Sequence, residues 1–67
     1  MTVFFQDKDT EEVIFRTEDS PAIPNVGEEV RLEMDWYKVV ERTFYYKHLS
    51  AAMDDNSCTV WLEPLKY

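Results

Sequence analysis

The stretch Ile23-Pro24-Asn25-Val26-Gly27-Glu28-Glu29-Val30-Arg31-Leu32 constrains the fold of this chain most. Pro24 has no N–H to give to a sheet, and Gly27, the only glycine, is the residue best able to take a left-handed backbone. After it, Val30 and Leu32 alternate with Glu29, Arg31 and Glu33, the period of a strand with one buried face. A second apolar run, Trp36-Tyr37-Lys38-Val39-Val40, begins after Met34-Asp35, which reads as a turn between two strands.

The rest of the chain fits around that pair. Thr2 to Gln6 reads as a first strand and Glu12 to Thr17 as its hairpin partner, with Asp7-Lys8-Asp9-Thr10 as the turn. Pro21 and Pro24 exclude a central strand between Glu18 and Pro24. The run from Trp36 to Tyr46 is too long to alternate unbroken, so a bulge is expected near Val40–Arg42. Lys47 to Asn56 reads as a loop with one helical turn over Leu49–Met53. Ser57 to Glu63 reads as a last strand in which Cys58, Val60 and Leu62 share a face and Trp61 takes the other. A helix over 28–42 competes, because Val30, Met34, Tyr37 and Glu41 fall at helical spacing. Its face would include Glu41, and three valines with two aromatics favour the sheet. The expected fold is mainly β: a small antiparallel five-stranded SH3-like barrel or curled sheet with at most one short helix.

At 67 residues the chain supports a single small domain, which buries a modest share of its surface. Cys58 is the only cysteine and His48 the only histidine, which leaves neither a disulfide nor a thiolate metal cage to brace it. Packing of aromatic side chains, 15% of the residues, has to do that work. The residues after Met1 lack a basic segment and a long apolar run, so a cytoplasmic protein without a membrane span is expected.

Charge is the most informative part of the composition. The net charge is −7, and all of it lies in residues 1–35. There Asp7, Asp9, Glu11, Glu12, Glu18, Asp19, Glu28, Glu29, Glu33 and Asp35 face only Lys8, Arg16 and Arg31. Residues 36–67 are neutral and hold Trp36, Tyr37, Phe44, Tyr45, Tyr46 and Trp61. Such a surface repels phosphates and anionic lipid, which argues against direct binding of nucleic acid or membrane.

No pattern carries catalysis. His48 has no activating Ser or Cys motif beside it, and Cys58 reads as a small core hydrophobe. Asp7-x-Asp9-x-Glu11 lacks the glycine and terminal glutamate of a calcium loop, and a solvated turn explains it. No cofactor or metal is expected. Two surfaces remain. Glu29, Glu33 and Asp35 are expected to line one solvent face, with strand spacing of roughly 6.5–7 Å between same-face residues, comparable to successive phosphates. An aromatic such as Trp36 or Tyr46 is expected to anchor a contact, as exposed aromatics do at interfaces. The bland alternatives are a solubilising acidic surface and rings that shield a small barrel.

The order of these motifs resembles a known class. An opening Phe4-Phe5-x-Asp7-x-Asp9-Thr10 hairpin precedes Pro24-x-x-Gly27-Glu28-x-Val30-x-Leu32. Tyr37-x-Val39-Val40 follows, and Val60-x-Leu62-Glu63-Pro64-Leu65 comes near the end. The whole is similar to the small strand-rich proteins of phages and bacterial mobile elements. Acidic members of that class resemble anti-defence inhibitors, including anti-CRISPR proteins that act as DNA mimics. The resemblance implies a non-enzymatic inhibitor whose partner is a basic nucleic-acid-binding protein, a defence effector subunit, met by the ten acids of the first half. A monomer or weak homodimer fits that role. A structural adaptor for phage assembly and a sponge for a nucleotide second messenger are the other roles such a chain could fill.

Overall fold

A computed structural model describes residues 2–18, 22–46 and 56–65. They form five strands: β1 (Thr2–Asp7), β2 (Val13–Thr17), β3 (Glu29–Leu32), β4 (Asp35–Tyr45) and β5 (Ser57–Pro64). The strands make one curled sheet in the order β2-β1-β5-β4-β3. The molecule is thus two hairpins, β1–β2 and β3–β4, with the last strand inserted between them.

The stretch 28–42 is strand on both sides of a turn at Glu33-Met34, which settles the competition with a helix in favour of the sheet. Of the four strand pairings, β1–β5 is parallel and the other three are antiparallel. β2 and β3 are the outer strands and do not pair with each other, so the curled sheet is the form adopted. The single helical turn expected over Leu49–Met53 lies outside the described residues.

One face of the sheet is dry. Cys58, Val60 and Leu62 of β5 are wholly buried, flanked by Val3 and Phe5 of β1 and Val39 of β4. Ile14, Ile23, Val30, Leu32 and Tyr37 pack around that cluster. Alternation explains β5, since every second side chain points to the same side. β4 cannot keep that alternation along its length. Its register with β5 shifts between Val39 and Glu41, so that Val39 faces Leu62 but Arg42 faces Val60. This is the bulge the length of the segment calls for, and past it the inward positions become Arg42 and Phe44.

Gly27 marks a second irregularity. Its N–H donates to the Val39 carbonyl, while the Val39 N–H donates to the Glu28 carbonyl, at 2.8 and 2.9 Å. Two residues therefore oppose one, and the glycine takes φ +96 to allow it.

Candidate functional site: an acidic end shared by two hairpins

β5 runs parallel to β1 and antiparallel to β4, and this directionality places both hairpin turns at the same end of the sheet. The first turn carries Asp9, Glu11 and Glu12, with Asp7 at its base; the second carries Glu33, with Asp35 at its base. β1 and β4 are separated only by β5, roughly 10 Å across at two strand spacings. Carboxylates far apart in the chain are thereby gathered.

Tyr37 reports the gathering. Its phenol is pushed above the ordinary 10.0, first by burial and then by the negative charges of Asp35, Asp7 and Glu33. One hydroxyl thus senses acids from both hairpins at once. An ionised phenolate there would meet three like charges, so the ring stays neutral.

The acids of this end differ in what they do. Asp7 builds its turn: its Oδ1 accepts the N–H of Asp9 at 2.8 Å and that of Thr10 at 3.2 Å. Thr10 Oγ1 then accepts the Glu12 N–H at 3.2 Å, and the Asp7 carbonyl accepts the Glu11 N–H at 2.8 Å. Glu28, at the far end of β3 and outside the acidic end, is spent in the same way, accepting the Asn25 N–H. Asp9, Glu11, Glu12, Glu33 and Asp35 carry exposed side chains. Glu11 and Glu33 take φ of 62 and 58, the left-handed region that normally favours glycine. At both tips an acidic side chain stands where a glycine would be easier.

Several expectations about the site need correction. Glu29, Glu33 and Asp35 do not share one face. Leu32 pairs with Asp35 across the turn, which puts Asp35 on the Leu32 and Tyr37 side, whereas Glu29 pairs with Lys38 on the other. Glu33 sits in the turn itself. Glu18 lies beyond the far end of β2, held to Arg16 at 2.9 Å, and so is outside the acidic end. Asp19 lies outside the described residues. Trp36 and Tyr46 are also separated: Trp36 is beside the acidic end, while Tyr46 follows the opposite end of β4 and stacks on Phe44 at 6.4 Å. Ten residues of strand at roughly 3.3 Å each separate them, so of the two only Trp36 stands near the acidic end.

Sequence parity also hid the outer face of the sheet. There three of the described cations lie over rings: Lys8 over Trp61 at 5.1 Å, Arg16 over Phe4 at 5.7 Å and Arg31 over Trp36 at 5.9 Å. Lys8 also pairs with Glu41 at 3.1 Å, and Trp61 Nε1 donates to Thr43 Oγ1 at 3.2 Å. Glu41 and Thr43 reach this face because the bulge reverses the alternation of β4. Flipping the β4 parity at the expected bulge was the signal that would have found them. Cation–ring contacts hold these cations in place on the outer face without cancelling their charge.

Among the described residues, no three His, Cys, Asp or Glu side chains converge closely enough to hold a metal ion. No helix among them is long and apolar enough to cross a membrane. Cys58 is buried, and its thiol is pushed above the ordinary 9.0 by that burial, with Arg42 opposing the shift. A thiol in that state is a poor nucleophile. Compared with known proteins, the chain matches no family model, no curated protein and no solved structure.

Proposed function

We propose that the protein is a non-enzymatic binding module whose acidic end occupies a basic, nucleic-acid-binding surface on another protein. In the form the resemblance implies, it is a phage-type inhibitor, acting in the host cytoplasm on a subunit of a bacterial defence effector such as a CRISPR complex. One observation carries the reading: the strand order sets the turn after Asp7 and the turn that holds Glu33 and leads into Asp35 at the same end of the sheet. Strands hold Asp7 and Asp35, and a two-residue turn between paired strands holds Glu33, so little ordering entropy is lost when a cationic groove meets them. Asp9, Glu11 and Glu12 extend the same field outward, and a field of one sign steers a basic partner to it.

The test is competition. The protein is titrated against labelled DNA bound to a purified CRISPR effector at about 0.05 M and about 0.5 M salt. Displacement should weaken steeply at the higher salt, and replacing Asp9, Glu33 and Asp35 together by lysine should abolish it. Affinity that is indifferent to salt, or full displacement by the triple variant, would sink the proposal.

A further inference from the structure

We propose that Lys8 is a positioning residue of the acidic end: its ammonium, seated on the Trp61 ring and paired with Glu41, holds the first acidic turn against a strand of the second hairpin. The inference deepens the reading of the acidic end and rests on it for its consequence in binding. Lys8 follows Asp7, where β1 ends. Its N–H still donates to the Leu62 carbonyl of β5 at 2.9 Å, so the backbone is tied to the sheet one residue past the strand. Its side chain then makes two contacts on the outer face. Nζ stands 5.1 Å from the centre of the Trp61 ring and 3.1 Å from Glu41 Oε2.

Both partners are themselves fixed. The Trp61 indole donates to Thr43 Oγ1 at 3.2 Å, which sets the plane of the ring that Lys8 rests on. Glu41 reaches the outer face only because the register of β4 against β5 shifts between Val39 and Glu41. Unbroken alternation from the buried Val39 would turn Glu41 to the dry side, where a carboxylate is costly. The bulge thus supplies, on β4, the carboxylate that meets a lysine from two strands away. Neighbouring residues of a strand point to opposite faces, so Asp7 and Lys8 hold the turn from its two sides. Asp7 accepts the amides of Asp9 and Thr10, while Lys8 reaches across β5 to β4.

Charge alone is the rival role, and the two predict opposite signs. As a mere charge, Lys8 weakens the negative field. Its loss takes the net charge from −7 to −8 and strengthens attraction to a cationic groove. As a positioning residue, Lys8 keeps the exposed Asp9, Glu11 and Glu12 in one place. Its loss then weakens binding, because the turn has to be ordered at the moment of contact. The Lys8 and Glu41 side chains are 44% and 52% accessible, so each contact is modest. Together they shift the opening of the turn by roughly threefold to tenfold.

Amide hydrogen exchange of the whole chain reads the turn without any partner. Lys8→Met keeps an unbranched stem and removes the ammonium, and it should speed exchange at Asp9 and Thr10 by roughly threefold to tenfold. Lys8→Arg should restore wild-type exchange. So should the swapped pair, Lys8→Glu with Glu41→Lys, whose net charge is still −7. In displacement of labelled DNA from a purified CRISPR effector, Lys8→Met should be weaker than wild type in spite of its extra negative charge. Lys8→Arg should recover the displacement. Unchanged exchange at Asp9 and Thr10 in Lys8→Met overturns the proposal. Displacement by Lys8→Met as good as or better than wild type does the same, as does an arginine that rescues neither measurement. A wild-type chain that displaces no DNA removes the acidic-end reading instead, and the exchange measurement then decides the role of Lys8 by itself.

Discussion

The two hairpins deliver acid to the same end of the sheet by different means. In β1–β2 the turn is organised by a carboxylate, since Asp7 holds the amides of Asp9 and Thr10. In β3–β4 the reversal is a two-residue turn between paired Leu32 and Asp35, with Glu33 at φ 58 and Met34 80% exposed. The first hairpin uses part of its charge to fold. The second leaves Glu33 and Asp35 to the surface. Counting acids in a sequence therefore overstates the charge available to a partner, and substitutions can separate the two uses.

The largest effect should come from what joins the hairpins. Leu62 lies opposite Asp7 of β1 and Val39 of β4 and is wholly buried. Leu62→Ala removes about 3 kcal/mol of stability by lost transfer energy and a residual cavity. In a domain of this size that is a large part of the total. Denaturant melts should show the midpoint collapse with little change in slope per unit unfolded. If Leu62→Ala cost under about 1 kcal/mol, the hairpins would be held together by something other than β5.

The buried face of β5 is legible in the sequence, though not its place between the hairpins. Cys58, Val60 and Leu62 alternate in a short run ended by Pro64, and the long segment after Trp36 called for a bulge near Val40. The parallel pairing with β1 was not readable, because a hydrophobic pattern gives the buried face of a strand and not its neighbour. The acidic end follows from that missing neighbour. Without β5 between them, nothing in the sequence sets the Asp7 turn beside the Glu33 turn. Counting alternate residues through a turn puts Glu29, Glu33 and Asp35 on one face, and alternation does not survive a reversal of the chain.

The next effect distinguishes the two kinds of acid. Asp7→Ala should cost about 1 kcal/mol, since two backbone amides lose their acceptor. Asp35→Ala should cost less than about 0.5 kcal/mol, as for most exposed positions without such bonds. Equal losses would mean that both turns depend on their carboxylates, and the contrast between the hairpins would fall.

A smaller effect of opposite sign is expected at the tips. Glu33→Gly and Glu11→Gly relieve a left-handed backbone that costs an ordinary residue roughly 1–2 kcal/mol, less the roughly 0.5–1 kcal/mol that glycine loses in chain entropy. A net gain of about 0.5 kcal/mol is expected at each tip, read as a higher melting temperature. If the acidic end is the binding surface, the same variants should bind their partner less well while folding better. Better folding without weaker binding would leave those two glutamates no part in the contact.

The last effect is nil at neutral pH and appears only in alkali, where it probes the gathering of the hairpins directly. Tyr37 ionises from about 10.0 in the unfolded chain but only above that in the folded one, because burial and the charges of Asp35, Asp7 and Glu33 oppose the phenolate. Between those two pKa values the unfolded state has released the proton that the folded state keeps. Stability is therefore fully present below 10.0 and is lost as pH rises from there through the folded pKa. Tyr37→Phe should flatten that alkaline loss relative to wild type. Glu33→Gln and Asp35→Asn should each lower the folded tyrosine's pKa, measured by the ultraviolet phenolate band with the Tyr37→Phe chain as reference. Burial is the larger cause and stays in place, so the drop should be partial. A phenol that ignores both substitutions would mean that β3–β4 does not bring its carboxylates to β1–β2, and that the acids of the two turns act as separate patches.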